Sequence, residues 1–368
     1  MKVGAVARPP WTAKYKDNWD EAYQRMMAWW EGSGLDRPLI LSPVRKPEAP
    51  ESDLDPCLGM PESQDLDEHY KLFMYERYFG NHYFPAEAVP AAWTLYGSGL
   101  CLLGAMAGAP IRYAPEWGTT WIEKVDSLYE RELPEFSAAC PPHAFAIRMI
   151  HRYAEAFGYD CIVGGNILLD PMTTLSMMRG PENLCQDLLD RPEMVKRWCR
   201  RLGDLYLAIE AGYSAARAEH GRQDDINLVG VWSPANTEAI QCDFITMLSP
   251  AMFQEFVMPE VEREAAAFGY ALWHLDGPHE LQHLDAILSV PQIRAIQWPR
   301  NPASLPLDYV DVFQYVRKRG RSIVTSCETA EEALELTKQV GKDGLALGLP
   351  STLSMSEFEA ALHALERA

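Results

Sequence analysis

The run Gly269–Trp298, GYALWHLDGPHELQHLDAILSVPQIRAIQW, is read most simply as one strand–helix–strand unit. Tyr270–His274 is short and apolar and stops before a Gly-Pro pair. Helical spacing follows over 279–288, and then a second apolar run, Ile293–Gln297. The same alternation extends in both directions. Upstream, helix 142–157 leads into strand Tyr159–Gly164, helix 193–219 into Ile226–Val231, and helix 250–267 into Tyr270–His274. Downstream, helix 308–319 leads into Ser322–Thr325 and helix 330–340 into Gly344–Leu347, with a last helix over 355–366. Strands that alternate with helices of this length form βαβ units and a parallel sheet. A strand at Pro38–Ser42 and one within 81–130 bring the count to about eight. The predicted fold is therefore α/β, a (β/α)8 TIM barrel over residues 36–368 with loop insertions. Residues 1–35 form an N-terminal helical extension, with Trp19, Tyr23, Met26, Met27 and Trp30 at three- and four-residue spacings. The rival is an open doubly wound sheet, but no Gly-rich nucleotide fingerprint opens any helix.

Composition narrows the partners. The chain has 368 residues, 48% of them hydrophobic and 23% charged, an ordinary globular mix that excludes disorder. Its net charge of −19 argues against nucleic acid and anionic membranes, which need a positive surface. Eight scattered cysteines without a CxxC, and no signal peptide, predict free thiols and a cytoplasmic location. Ala88–Ile111 carries no charge and could span a bilayer, but Pro90, Pro110 and four glycines favour a buried loop and helix. Residues 46–65, acidic and rich in proline, read as an exposed loop, either plain solvated surface or the docking rim of a partner protein. Residues 110–130 read as a hairpin.

In such a barrel the active site lies at the C-terminal ends of the strands. Strand one is followed by Ser42 and Arg45, strand three by Asn166, and strand four by Trp232 with Asp243 behind it. Strand five ends in His274 and Asp276, strand six in Gln297 and Trp298, and strand seven in Ser326, Cys327 and Glu328. His274 and Asp276 are two apart, so imidazole and carboxylate point to one side, as an acid–base pair, metal ligands or a plain hydrogen-bonded pair. Cys327, two strands on, would complete a zinc site with His274 and Asp276; the alternative is an inert thiol. His279-Glu280-Leu281-Gln282-His283 matches HExxH, but Pro278 puts it in the first turn of a short helix, and no third ligand follows at peptidase spacing.

Two stretches carry a resemblance. Val163–Val195 contains Pro-Met-Thr-Thr, Arg-Gly and Asp-Arg-Pro-Glu, and Leu248–Trp298 contains HLDG, HLD and IQW. Both resemble the uroporphyrinogen decarboxylase superfamily, and its corrinoid-linked methyltransferase branch more than the decarboxylases. The likeness covers about residues 36–368. The decarboxylases' arginine-rich motif after the first strand is reduced here to Arg45 in SPVRKPE. The His-x-Cys and second Cys of the thiol-methylating members are replaced by His274-Leu275-Asp276 and by LALGLPSTLS, which has no Cys. The resemblance implies a cobalamin-dependent methyltransferase, such as an O-demethylase, that takes a methyl group from a small methoxylated or methylated compound. The acceptor would be the cobalt of a corrinoid on a separate protein, since this chain has no cobalamin-binding DxHxxG stretch. In that setting Asp243, Asp276 and Glu116 are the candidate acids. Arg45, Trp93, Tyr96, Asn166, Trp232 and Trp298 are expected to hold substrate, and His274, Asp276 and Cys327 to hold zinc. The alternatives are a decarboxylase-like enzyme using Arg45 and Arg179, or a non-catalytic barrel that binds a small molecule; a homodimer is left open.

Overall fold

The computed structural model describes residues 9–50, 66–95, 97–114, 119–165 and 168–368. Eight strands lie in parallel ladders: β1 (Leu39–Ile40), β2 (Ala91–Trp93), β3 (Ile162–Gly164), β4 (Thr237–Ile240), β5 (Tyr270–His274), β6 (Ile293–Trp298), β7 (Ser322–Ser326) and β8 (Leu345–Gly348). Six of them form one ladder in the order β1-β8-β7-β6-β5-β4, and β2 pairs with β3. Glu87, just before β2, donates its N–H to the Ile40 carbonyl at the end of β1.

Period-two alternation splits the core in two. Leu39, Ala91, Ile162, Ala239, Leu272, Ala295, Val324 and Ala346 fall in one apolar cluster. Their neighbours Ile40, Ala92, Val163, Ile240, Trp273, Ile296, Ile323 and Leu347 fall in another, with the apolar faces of the surrounding helices. All eight strands thus contribute to one inner core and one outer core. The inner residues are small or aliphatic, and Trp11, Trp19, Trp29, Trp30 and Trp232 complete their cluster.

Those tryptophans come largely from the N-terminal helix, Trp19–Glu31, which buries Trp19, Ala22, Met26, Trp29 and Trp30 on one side. Ser322, the first residue of β7, donates its hydroxyl to the Trp29 carbonyl at 2.6 Å. The ring of Trp30 packs on Tyr270, the first residue of β5, at 5.3 Å. The helix therefore covers the N-terminal ends of the strands. Gly32 ends it in the left-handed region at φ 78°, where a residue without Cβ is favoured.

Strand four differs from the sequence expectation. The run 226–231 folds back on itself: Asp225–Ile226 pairs antiparallel with Trp232–Ser233. Gly230, at φ 77°, and the bond from Val231 N–H to the Asn227 side chain at 3.2 Å close the turn. The strand in the parallel sheet is Thr237–Ile240, so Trp232 precedes strand four instead of ending it. The expected hairpin is present as Ile111–Ala114 paired with Thr119–Ile122. Within the uncharged run Ala88–Ile111, the described residues form β2 and two short helical turns, Gly97–Leu100 and Leu102–Met106. No described helix is long and apolar enough to cross a membrane.

Candidate active site

With the N-terminal strand ends covered, the C-terminal ends are the available face. On β5, Leu272 belongs to the inner core and Trp273 to the outer core, so alternation turns His274 inward at the rim. Its register partner on β6 is Gln297, and the His274 Nδ1 hydrogen-bonds to the Gln297 side-chain oxygen. With Nδ1–H donating there, Nε2 is the nitrogen left to accept a proton. Asp243 opens the short turn after β4, and Asp276 follows β5 by two residues. Lost hydration at the rim pushes the Asp243 carboxyl above the usual carboxylate range; His274 opposes the shift and the charge of Asp276 adds to it. Asp243, His274 and Asp276 thus lie within electrostatic reach of one another, as one acid–base group.

Glu280 supports this group from below. Gly277, at φ 97°, turns the chain so that the Asp276 N–H donates to Glu280 Oε2 at 3.1 Å. Glu280 is 1% exposed, and burial pushes its carboxyl up to about 8. His283 is buried with Nε2 bonded to the Ile245 carbonyl at 3.0 Å, while His279 is exposed, so the HExxH residues do not converge on a metal.

The raised Glu280 gives a pH prediction. Between the ordinary 4.5 and about 8 the folded chain keeps a proton that the unfolded chain has released. The stabilisation is complete below the unfolded value and lost as pH rises through about 8. Glu280→Gln is neutral throughout, so from pH 5 to 9 its urea stability should gain on wild type by a few kcal/mol. Parallel stability curves would contradict the assignment.

A cleft of about 1050 Å³ opens at the ends of β1, β2 and β8. Its walls include Leu41, Arg45, Trp93, Val229, Leu353 and Met355. Trp93 is held by its backbone, which both donates to and accepts from the Tyr75 hydroxyl at 3.0 and 3.2 Å. Its indole lies over Gly164 on β3, where an added Cβ would meet Trp93 Cδ1 at 2.9 Å. That close approach requires glycine.

Arg45 and Trp93 therefore line the cleft, while Asp243, His274 and Asp276 form a group of their own at the ends of β4 and β5. Other expected residues lie elsewhere. Trp232 is fully buried under the N-terminal helix, with its indole N–H on Asp224 at 3.1 Å and its carbonyl bonded by Trp30. Trp298 is also fully buried; it faces the outer core, its ring tilted against Tyr309 and its N–H on the Ser304 carbonyl at 2.9 Å. Both are packing residues. Arg179 is engaged by Asp187 at 2.5 Å and stacks on Tyr129. Tyr96, Glu116, Asn166 and residues 51–65 of the acidic loop lie outside the described residues.

The zinc set does not assemble. His274 faces inward, but Cys327 is 4% exposed and packs in the outer core. Among the described residues no group of three or more His, Cys, Asp or Glu side chains could hold a metal ion. Gln297, which the sequence places at the end of strand six without a role, joins the site; alternation along β6 turns it inward, since Ala295 faces in and Trp298 faces out.

No protein-family model matches the chain, and no curated protein matches it. Among solved structures it is similar to a methyltransferase from Methanosarcina mazei, with a TM-score of 0.64 and 14% sequence identity. The match covers 94% of this chain and 98% of that one. At that identity the likeness is one of fold.

Proposed function

We propose that this chain is a methyltransferase built on a closed (β/α)8 barrel. It would move a methyl group from a small methoxylated or methylated compound to the cobalt of a corrinoid on a separate protein. The barrel reading is supported by the single inner core shared by eight parallel strands and by the helix packed against their N-terminal ends. The observation that carries the function is the placement of Asp243, His274 and Asp276 at the C-terminal ends of two neighbouring strands, with His274 oriented by Gln297. The fold likeness to a methyltransferase agrees with it.

An ether oxygen is a poor leaving group, and a positioned acid removes that obstacle. The corrinoid supplies the electron pair that bonds to the methyl carbon. As the C–O bond breaks, its pair stays on oxygen, and Asp243 delivers the proton that makes the product an alcohol or phenol. His274, oriented by Gln297, then returns a proton to Asp243 from solvent, and Asp276 steadies the cationic imidazole. No step passes through zinc.

The test is conversion of methoxylated donors, with free cob(I)alamin and with a corrinoid protein as acceptors, followed by the absorbance of methylcobalamin. Methylated cobalt with demethylated product is expected. No methyl transfer from any methoxylated or methylated donor would remove the reading.

A further inference from the structure

Two histidines outside the strand-end group meet across the helical layer. His151 stands on helix Pro141–Phe157, and His220 caps the C-terminus of helix Pro192–Glu219. Both rings are half-buried, with His151 Nδ1 and His220 Nε2 2.9 Å apart. The two helices run side by side in the same direction. About two turns earlier on each, His143 lies over Gly212, where an added Cβ would meet the imidazole Cε1 at 3.1 Å. The backbone that carries His220 is fixed as well. Its carbonyl and that of Gly221 accept from the Tyr159 hydroxyl at 3.3 Å, and Arg222 lies over the Tyr159 ring. Gly221 turns the chain there at φ 71°. Two packed helices and a tethered turn thus set the pair in place. It lies where the first helix leads into the N-terminal end of β3, away from Asp243 and His274.

A hydrogen bond between two imidazoles needs one N–H and one lone pair. A metal ion can replace the shared proton when both nitrogens turn lone pairs toward it. Each ring then carries its N–H on its other nitrogen, so two neutral imidazoles lose no proton overall. With metal–nitrogen bonds of about 2.0–2.1 Å, ligands at a right angle stand about 2.9 Å apart, and tetrahedral ligands about 3.3–3.4 Å. The spacing here fits the right angle, which square-planar and octahedral ions prefer and tetrahedral zinc does not. The surroundings suit a cation. Glu155 is one turn after His151 and Glu219 is beside His220. The nearby Arg148 and Arg152 are both directed to Glu68, at 3.0 and 3.9 Å.

We infer that His151 and His220 form a chelating site for a divalent late transition ion of the nickel class, with water in the remaining positions. The ion would clamp the end of one helix to the flank of the other. The site is independent of the function proposed above.

The experiment is calorimetric titration and thermal melting of the full chain, carrying no purification tag, with Ni2+, Zn2+ and Mg2+ near neutral pH. Ni2+ should bind once per chain, raise the melting temperature and bind more tightly than Zn2+, while Mg2+ should not bind. His151→Gln and His220→Gln should each weaken Ni2+ binding by more than about tenfold and abolish the rise in melting temperature. Either change also removes the hydrogen bond between the helices, so the readout is the rise caused by metal in each protein and not its melting temperature alone. His363→Gln, on the C-terminal helix, should bind Ni2+ as wild type does. Ni2+ binding unchanged in either pair variant, tighter binding of Zn2+ than of Ni2+, or no binding of Ni2+ overturns the inference.

Discussion

Asp243→Asn is expected to lower the rate of methyl transfer from an ether donor by about two to four orders of magnitude, the range of general acid catalysis. The asparagine keeps the size and polarity of the side chain and removes the transferable proton. Asp243 stands in the short turn after β4 and the change is nearly isosteric, so the variant should fold as wild type does. The effect should fall on kcat, with KM little changed, because the proton moves only as the bond breaks. The pH profile gives a second readout. The carboxyl is raised above its ordinary range, so the acid form persists to higher pH than in an exposed aspartate. The wild-type rate should fall as pH climbs through that raised value, and Asp243→Asn should lose that limb. His274→Gln should cost less, since it removes proton return and not the acid. A kcat for Asp243→Asn within about threefold of wild type would leave Asp243 outside the chemistry.

The sequence was legible where alternation was unbroken. The strands at 270–274, 293–298, 322–326 and 345–348 are largely buried on both faces around short apolar runs, and their positions follow from the pattern. Strand four was hidden because it contains Glu238, a charged residue by its letter. In the fold Glu238 is 4% exposed, and burial pushes its carboxyl up to about 8. Meanwhile the apolar run at 226–231 looked like a strand and is a folded-back pair, which misplaced Trp232. For the site, the two-residue period that places His274 on β5 also governs β6 and β7. Counted there, it turns Gln297 inward and Trp298 outward, and on β7 it follows Val324 in the inner core and Cys327 in the outer. His274 and Cys327 share a height along their strands but differ in phase, so they fall on opposite sides of the sheet. Partners such as Gln297 for His274, 23 residues away, need three-dimensional contacts and no local pattern carries them.

Glu87→Ala should destabilise the chain by about 3–5 kcal/mol, the cost of breaking a buried ion pair by removing one partner. Glu87 is fully buried. Its carboxylate accepts from Arg37 Nη1 at 2.8 Å and Nη2 at 3.0 Å, from Arg25 Nε at 2.7 Å and from the Ile40 N–H at 2.8 Å. One side chain thus joins the N-terminal helix, strand β1 and the segment leading into β2. Without it Arg37, 3% exposed, keeps only the Pro38 carbonyl and a remote contact with Glu366 at 3.9 Å. A guanidinium stranded in that way costs more than the pair contributes, because its hydration is not restored. Against a total stability of about 5–15 kcal/mol, the loss is large enough to read directly from the urea midpoint. Arg25 also reaches Asp36, an exposed partner, and disrupting that arm alone with Asp36→Asn should cost under about 1 kcal/mol. The decisive comparison is Glu87→Ala with the double change Glu87→Ala, Arg37→Met. If the stranded charge is the cause, removing it should recover most of the loss, a coupling of more than about 2 kcal/mol. Additive losses would assign the effect to packing around β1 instead.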